Sequence, residues 1–258
     1  MTRRVAPARV ALLGLAAVAL TALVSCGAPT DASSGSATIL LAPSADPFVS
    51  AIIMTRTWAA SEIETVILST IDGTSRQRHG RGEVAIDKGY AVIDWVTDGA
   101  PSRELVNDRA IFTQPQPPAG PWTRTESTGS TPTSPFADPL RWLTDVRDVR
   151  LEGTDTMDGF DTNRYQGTLP LTSANLDGLG LTALEEQRIL AAAGPDDAIV
   201  VTAWEDPHHR LVRIDRSLDL GTGSALQASV LASTHLWDFG IMLDLESPPS
   251  ASVTAPPA

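Results

Sequence analysis

The sequence predicts an α+β fold: a curved antiparallel half-barrel sheet covered on its concave face by helices. Three observations lead there. Stretches rich in β-branched residues or alternating every second position outnumber helical ones. They follow one another across short turn signals such as Lys88-Gly89, Asn107-Asp108 and Asp158-Gly159, which suit antiparallel pairs, whereas parallel pairs need long crossovers. The helical stretches stand apart instead of alternating with the strands, so the pattern is not βαβ.

Taken in order, Ala45 to Ala60 is helical, with Phe48, Ile52, Thr55 and Ala59 at helical spacing and Ser44 or Asp46 as the cap. Ile63 to Ile71 is β-branched and reads as a strand, and Arg81 to Asp87 alternates. Tyr90 to Thr97 is apolar on both faces, as in a strand covered on each side. Arg103 to Val106 and Ala110 to Thr113 form a hairpin, and four prolines break the chain from Gln114 to Pro121. Trp122 to Glu126 is a short strand. Pro139 to Val146 reads as a helix capped by Asp138, with Pro139 in its first turn. Val149 to Thr156 and Asn163 to Leu169 are strands. Thr182 to Ala193 is the clearest helix, with Leu184, Ile189 and Leu190 among Glu185, Glu186 and Arg188, stopped at Gly194-Pro195. Ala198 to Glu205, Arg210 to Leu218 and Leu226 to Leu236 are strands, and Ile241 to Leu245 a last edge segment.

The ends have a different character. Arg3, Arg4 and Arg9 precede an uncharged apolar run from Val10 to Ser25. A basic head, a short apolar core and small residues at its end describe a secretory signal peptide over residues 1–25. The run is short for a spanning helix, which needs about 20 apolar residues. Leu23-Val24-Ser25-Cys26 fits all four positions of the bacterial lipobox, L-[VAST]-[GAS]-C, and Cys26 is the one cysteine of the chain. The expectation is acylation of Cys26, by palmitate or a related chain, and attachment of the mature protein to the outer face of a cell membrane. Two or more acyl chains anchor stably where one holds weakly. Residues 26–40, rich in Gly, Ser and Ala, read as a flexible tether, residues 41–246 as the folded domain, and residues 247–258 as a disordered tail.

Loss of the leader moves the formal charge from −12 to −15, since 31 acidic residues then face 16 basic ones. Nucleic-acid binding needs clustered Lys and Arg and is not expected. One cysteine allows no disulfide within the chain.

Later stretches resemble a known family. Pro121-Trp122 follows a Pro-rich loop. Asp138-Pro139-Leu140-Arg141-Trp142-Leu143 comes next, then glycines at Gly153 and Gly159 leading to Tyr165, then Ala203-Trp204-Glu205-Asp206 before Leu211-Val212-Arg213. With the order of elements over residues 45–246, these are similar to the LppX/LprG-type lipoproteins of actinobacteria, within the LolA-like superfamily. The resemblance implies a half-barrel closed by helices around an apolar cavity that takes a lipid or glycolipid. On that reading the function is to bind or carry a lipid or lipidated molecule. The alternative is an interaction or sensory module that binds a partner protein without lipid cargo.

No enzyme is expected. No G-x-S-x-G, P-loop or G-x-G-x-x-G occurs. No cofactor is implied, and no metal site either: His208-His209 reads as a solvated turn, and Asp155, Asp158 and Asp161 lack the alternate spacing of a calcium loop. Candidate ligand-lining residues are Trp95, Trp142, Leu184, Ile189 and Leu190. Core packing is the competing reading for the tryptophans. Glycines around Thr182 to Ala193 suggest a hinged lid with its leucines and isoleucine inward.

Overall fold

The computed structural model describes residues 46–107, 110–126, 134–221, 224–243 and 245–254. The expected signal peptide, Cys26 and the expected tether lie outside them. The described residues all belong to one compact unit, Ala42–Ala258.

Helix α1 (Pro47–Thr57) begins where Asp46 accepts hydrogen bonds from the Phe48 and Val49 amides, with Pro47 in the first turn. It buries Phe48, Ala51, Ile52 and Thr55. Strand β1 (Ser61–Ile71) alternates without a break, its odd-numbered residues buried. The Asp72-Gly73 turn, both residues at positive φ, joins it to β2 (Thr74–Ala85). Next come β3 (Tyr90–Thr97), β4 (Ala100–Val106), β5 (Ala110–Pro115) and β6 (Trp122–Glu126). After a 3-10 turn at Leu143–Asp145 follow β7 (Arg147–Met157) and β8 (Phe160–Pro170), then α2 (Ser173–Leu176) and α3 (Ala183–Ala192). The last strands are β9 (Ala198–Glu205), β10 (Leu211–Leu220), β11 (Ala228–Trp237) and β12 (Val253–Thr254).

These strands form one open sheet in the order β12-β6-β5-β4-β3-β2-β1-β11-β10-β9-β8-β7. Every pairing is antiparallel except β12 with β6. The sheet curls: Asp158, in the β7–β8 turn, reaches His235 on β11, although β8, β9 and β10 lie between in the pairing order.

One face carries the helices. The Thr55 hydroxyl accepts from the Leu211 amide and docks α1 on β10, while Gly180, between α2 and α3, sits against Ile67. The main core fills this side, with Ile63, Ile67, Ile93, Leu140, Leu169, Leu176, Leu179, Ile199, Leu218 and Leu236 fully or almost fully buried. Burial of such side chains at about 25 cal/mol per Å² of apolar surface is the main force holding helices to sheet.

Four expectations are corrected. Pro139 to Val146 is no helix. Asp138 does cap it by accepting from the Leu140 amide, but the bonds that follow run i to i+3 and stop after one 3-10 turn. Residues 247–254 are not a loose tail. Val253 and Thr254 pair with Trp122 and Thr123, and Leu245 and Val253 pack against Leu105, Ala110 and Phe112 in a second small core on the face away from the helices. The described residues 241–243 and 245 form no edge strand, and β12 pairs with β6 at that edge. Helical cover is also sparser than expected, with helices of 11, 4 and 10 residues for twelve strands.

Candidate functional site

The residues named from the sequence sit mostly beneath the helices. Trp95 points from β3 into the core and is 1% exposed. Its ring meets Phe136 edge-on, with centroids 4.5 Å apart, and the Arg78 guanidinium lies 3.8 Å from its centroid. Trp142 is 4% exposed and gives its indole N–H to the Ala174 carbonyl at 3.0 Å. Ile189 is wholly buried, and Leu190 is half-buried against the same cluster. Leu184 does not point inward: it is 67% exposed. At 3.6 residues per turn, Leu184 and Ile189 are about 140° apart around the helix, so one face cannot hold both.

Side chains fill two of the spaces between helices and sheet. They measure about 0 Å³ beside Phe48, Tyr165 and Val201, and about 10 Å³ beside Ile67, Arg78 and Gly180. Glycines explain the close fit. Gly80 leaves the room that the Trp95 ring occupies, and Gly178 leaves the room filled by Trp142 and Pro135.

Two arginines enter this core. Arg216 lies against the Trp142 ring at 3.7 Å and donates to the carbonyls of Asp177 and Gly178. Burial, followed by the charge of nearby Arg141, pushes its guanidinium down to about 9, against the pull of Asp177. These bonds staple the α2–α3 connection to β10. Arg78 stands 3.8 Å from Glu104, and burial is the main cause lowering its pKa.

Glu104 on β4 accepts a 2.5 Å bond from the Ser134 hydroxyl. Burial raises its carboxyl above the ordinary 4.5, opposed by Ser134 and Arg78. A raised folded pKa gives stability that is present below the unfolded value and lost as pH rises through the folded one. Unfolding by denaturant is therefore expected to show Glu104→Gln gaining stability relative to the native chain as pH rises above the ordinary carboxylate range. Equal slopes in the two proteins would contradict the assignment.

Open space lies on the other face. A cleft of about 640 Å³ forms where the β7–β8 hairpin tip curls over β11, β1 and β2. The register builds its floor: Glu64 on β1 stands opposite Arg81 on β2 and His235 on β11. His235 pairs with Asp158 of the tip at 2.8 Å, and Glu64 with His79 at 2.7 Å. Trp237 lies beside the His235 ring, centroids 5.1 Å apart, with the Arg81 guanidinium 5.4 Å from its own. Phe160, at the hairpin end, is 56% exposed on the cleft wall. Asp206 and Arg210 close one side by an ion pair of 2.5 Å, with the Arg210 guanidinium over the Phe239 ring.

The sequence does not disclose this cleft. Glu64, Arg81 and His235 read as polar positions on three separate strands, and only the cross-strand register brings them together. The available signal was the Asp158-Gly159 turn beside Phe160, an aromatic at a hairpin tip.

No family model matches the chain, and no curated protein matches it. Solved structures to which it is similar include the lipoprotein LppX of Mycobacterium tuberculosis, at 16% identity over 78% of this chain and 96% of that one, with a TM-score of 0.48. LprF from Mycobacterium bovis is similar at 14% identity over 78% of this chain and 95% of that one, with a TM-score of 0.48. A LolA superfamily protein from Nitrosomonas europaea is similar at 9% identity over 79% of this chain and 95% of that one, with a TM-score of 0.30. LppX and the LolA superfamily are two of the names under which the sequence resemblance was drawn.

Proposed function

We propose that the protein is a lipid-anchored, extracytoplasmic binding protein without catalytic activity, and that it takes its ligand in the outward-facing cleft. One observation carries this reading. The cleft offers about 640 Å³, within the roughly 300–1,000 Å³ of small-molecule sites, while the spaces beside Phe48 and beside Gly180 beneath the helices measure about 10 Å³ or less. The anchor rests on the lipobox at Leu23 to Cys26. Acyl chains hold the protein at the membrane, where an acidic surface alone would not bind anionic lipid.

A second reading, storage of a lipid beneath the helices, has one observation in its favour. The α2–α3 connection holds Gly178 at φ 79° and Gly180 at φ 68°, and the inner face of α3 contributes Ile189 as its one fully buried side chain. Both glycines tolerate the backbone change that a swing of α3 requires.

Mass spectrometry of the membrane-extracted protein separates the two. The denatured mass is expected to equal residues 26–258 plus acyl groups, and Cys26→Ser to lose those groups. The native mass is expected to add no further lipid. A bound lipid without a sugar head group in the native spectrum moves the ligand beneath the helices. Acyl groups retained in Cys26→Ser remove the lipobox reading.

A further inference from the structure

We propose that the outward-facing cleft is a carbohydrate site that takes a neutral oligosaccharide, either free or as the head group of a glycolipid. The inference rests on the reading that the cleft is where ligand binds, and it names the class of that ligand.

Charge is the first argument. The ionic groups that shape the cleft, Asp238 apart, are already matched: Glu64 with His79 at 2.7 Å, Asp158 with His235 at 2.8 Å, Asp206 with Arg210 at 2.5 Å, and Arg81 with Glu62 at 3.4 Å. An ionic ligand that engaged Glu64, Asp158, Asp206, Arg81 or Arg210 would have to displace one of these partners. An anion would also meet an excess of acid, because Asp238 joins Glu64, Asp158 and Asp206 on the lining against two arginines. A neutral ligand disturbs none of the pairs.

Hydrogen-bonding capacity is the second. A paired carboxylate keeps lone pairs for further donors, and a guanidinium has five N–H groups in a planar fork. Such flat groups match two neighbouring hydroxyls on a sugar ring. Their partners hold them in place, so little side-chain freedom is lost on binding. A bare acyl chain would strip these groups of water and return no hydrogen bond, which is unfavourable.

Aromatic surface is the third. The C–H faces of a sugar ring pack on aromatic rings. Phe160 offers an open face at the hairpin tip, and Trp237 lies half-buried on the floor beside His235. A volume of about 640 Å³ gives room for a short oligosaccharide.

The test uses the mature chain in phosphatidylcholine nanodiscs. Saturation-transfer NMR is run against neutral glucose-, galactose- and mannose-based trisaccharides, then repeated in nanodiscs that carry digalactosyl diacylglycerol. Transfer to the ring protons of at least one trisaccharide is expected. Phe160→Ala should weaken that binding about tenfold or more, a change of about 1.4 kcal/mol, with an unchanged melting temperature because the ring is exposed. Arg81→Ala, also at an exposed side chain, should weaken it as well. Loss of the trisaccharide signal in galactolipid nanodiscs identifies the head group as a source the protein reaches on its own membrane, and persistence identifies the free sugar. The proposal is overturned if neither trisaccharides nor galactolipid bind, or if Phe160→Ala binds them as the native chain does. A hexalysine peptide is the contrasting probe. If it binds in place of sugar and Phe160→Ala abolishes that binding, the carbohydrate class fails while the cleft remains the binding site.

Discussion

Trp95→Ala is expected to lower the melting temperature by roughly 6–20 °C. The ring is 1% exposed and sits over Gly80, against Phe136 and beneath Arg78. Truncating a buried tryptophan costs about 3–5 kcal/mol in lost transfer energy and cavity. A domain of this size loses about 2–4 °C per kcal/mol. The surroundings cannot collapse into the gap, because β2 and β3 are fixed by their ladder and Gly80 has no side chain to move. Trp95→Phe is the useful companion. The indole nitrogen of Trp95 is buried with no hydrogen-bond partner, so phenylalanine removes an unfavourable polar group as well as some volume, and its cost should be much smaller. Circular dichroism melting reads both. An alanine variant that melts within a few degrees of the native chain would show that the ring lines a space rather than fills a core.

That test bears on what a sequence discloses about such a fold. β1 was legible because Ile63, Thr65, Ile67, Ser69 and Ile71 alternate inward without a break. The helix at Thr182 was legible from its local chemistry, and the capping box between Thr182 and Glu185 is present. The first half of β2 was missed. Thr74 to His79 reads Thr-Ser-Arg-Gln-Arg-His, polar on both faces, and it becomes a strand through backbone pairing with β1 on one side and, from Arg78 on, β3 on the other. The docking of the chain's end was missed for a related reason. Pro, Ser and Ala from residue 247 suggest no order, and what orders them is contact of Leu245 and Val253 with Phe112, far away in sequence. How closely the core packs was not legible. Period and polarity reveal which face is apolar, but not whether Trp95, Trp142 and Ile189 fill the space they border. The cleft failed on curvature, since nothing local to Asp158 or Phe160 shows that their hairpin folds back over His235.

Ile189→Asp is the second substitution with a large expected effect, and two routes compete to limit it. If α3 stays docked, a carboxylate is buried without a partner, at a cost of several kcal/mol. If α3 lifts away, the loss is the burial of Ile189, about 1.5–3 kcal/mol, plus the half-buried ion pair Arg76–Glu185 and the exposed pair Arg188–Asp72, each worth about 0.2–1 kcal/mol. The second sum, roughly 2–5 kcal/mol, is the smaller or equal one. Because Ile189 is the one fully buried side chain of α3, the helix leaves without dragging the sheet apart. The expected result is a melting temperature lower by roughly 4–20 °C. Hydrogen exchange should show the amides of α3 losing protection while those of β1, β10 and β11 keep theirs. The released helix also uncovers apolar surface beside Trp142, so the variant should bind a fluorescent fatty acid that the native chain does not. Collapse of protection throughout the sheet would mean that α3 is part of the cooperative core and cannot act as a lid. Unchanged melting and unchanged exchange would mean that position 189 faces solvent, contrary to the packing described above.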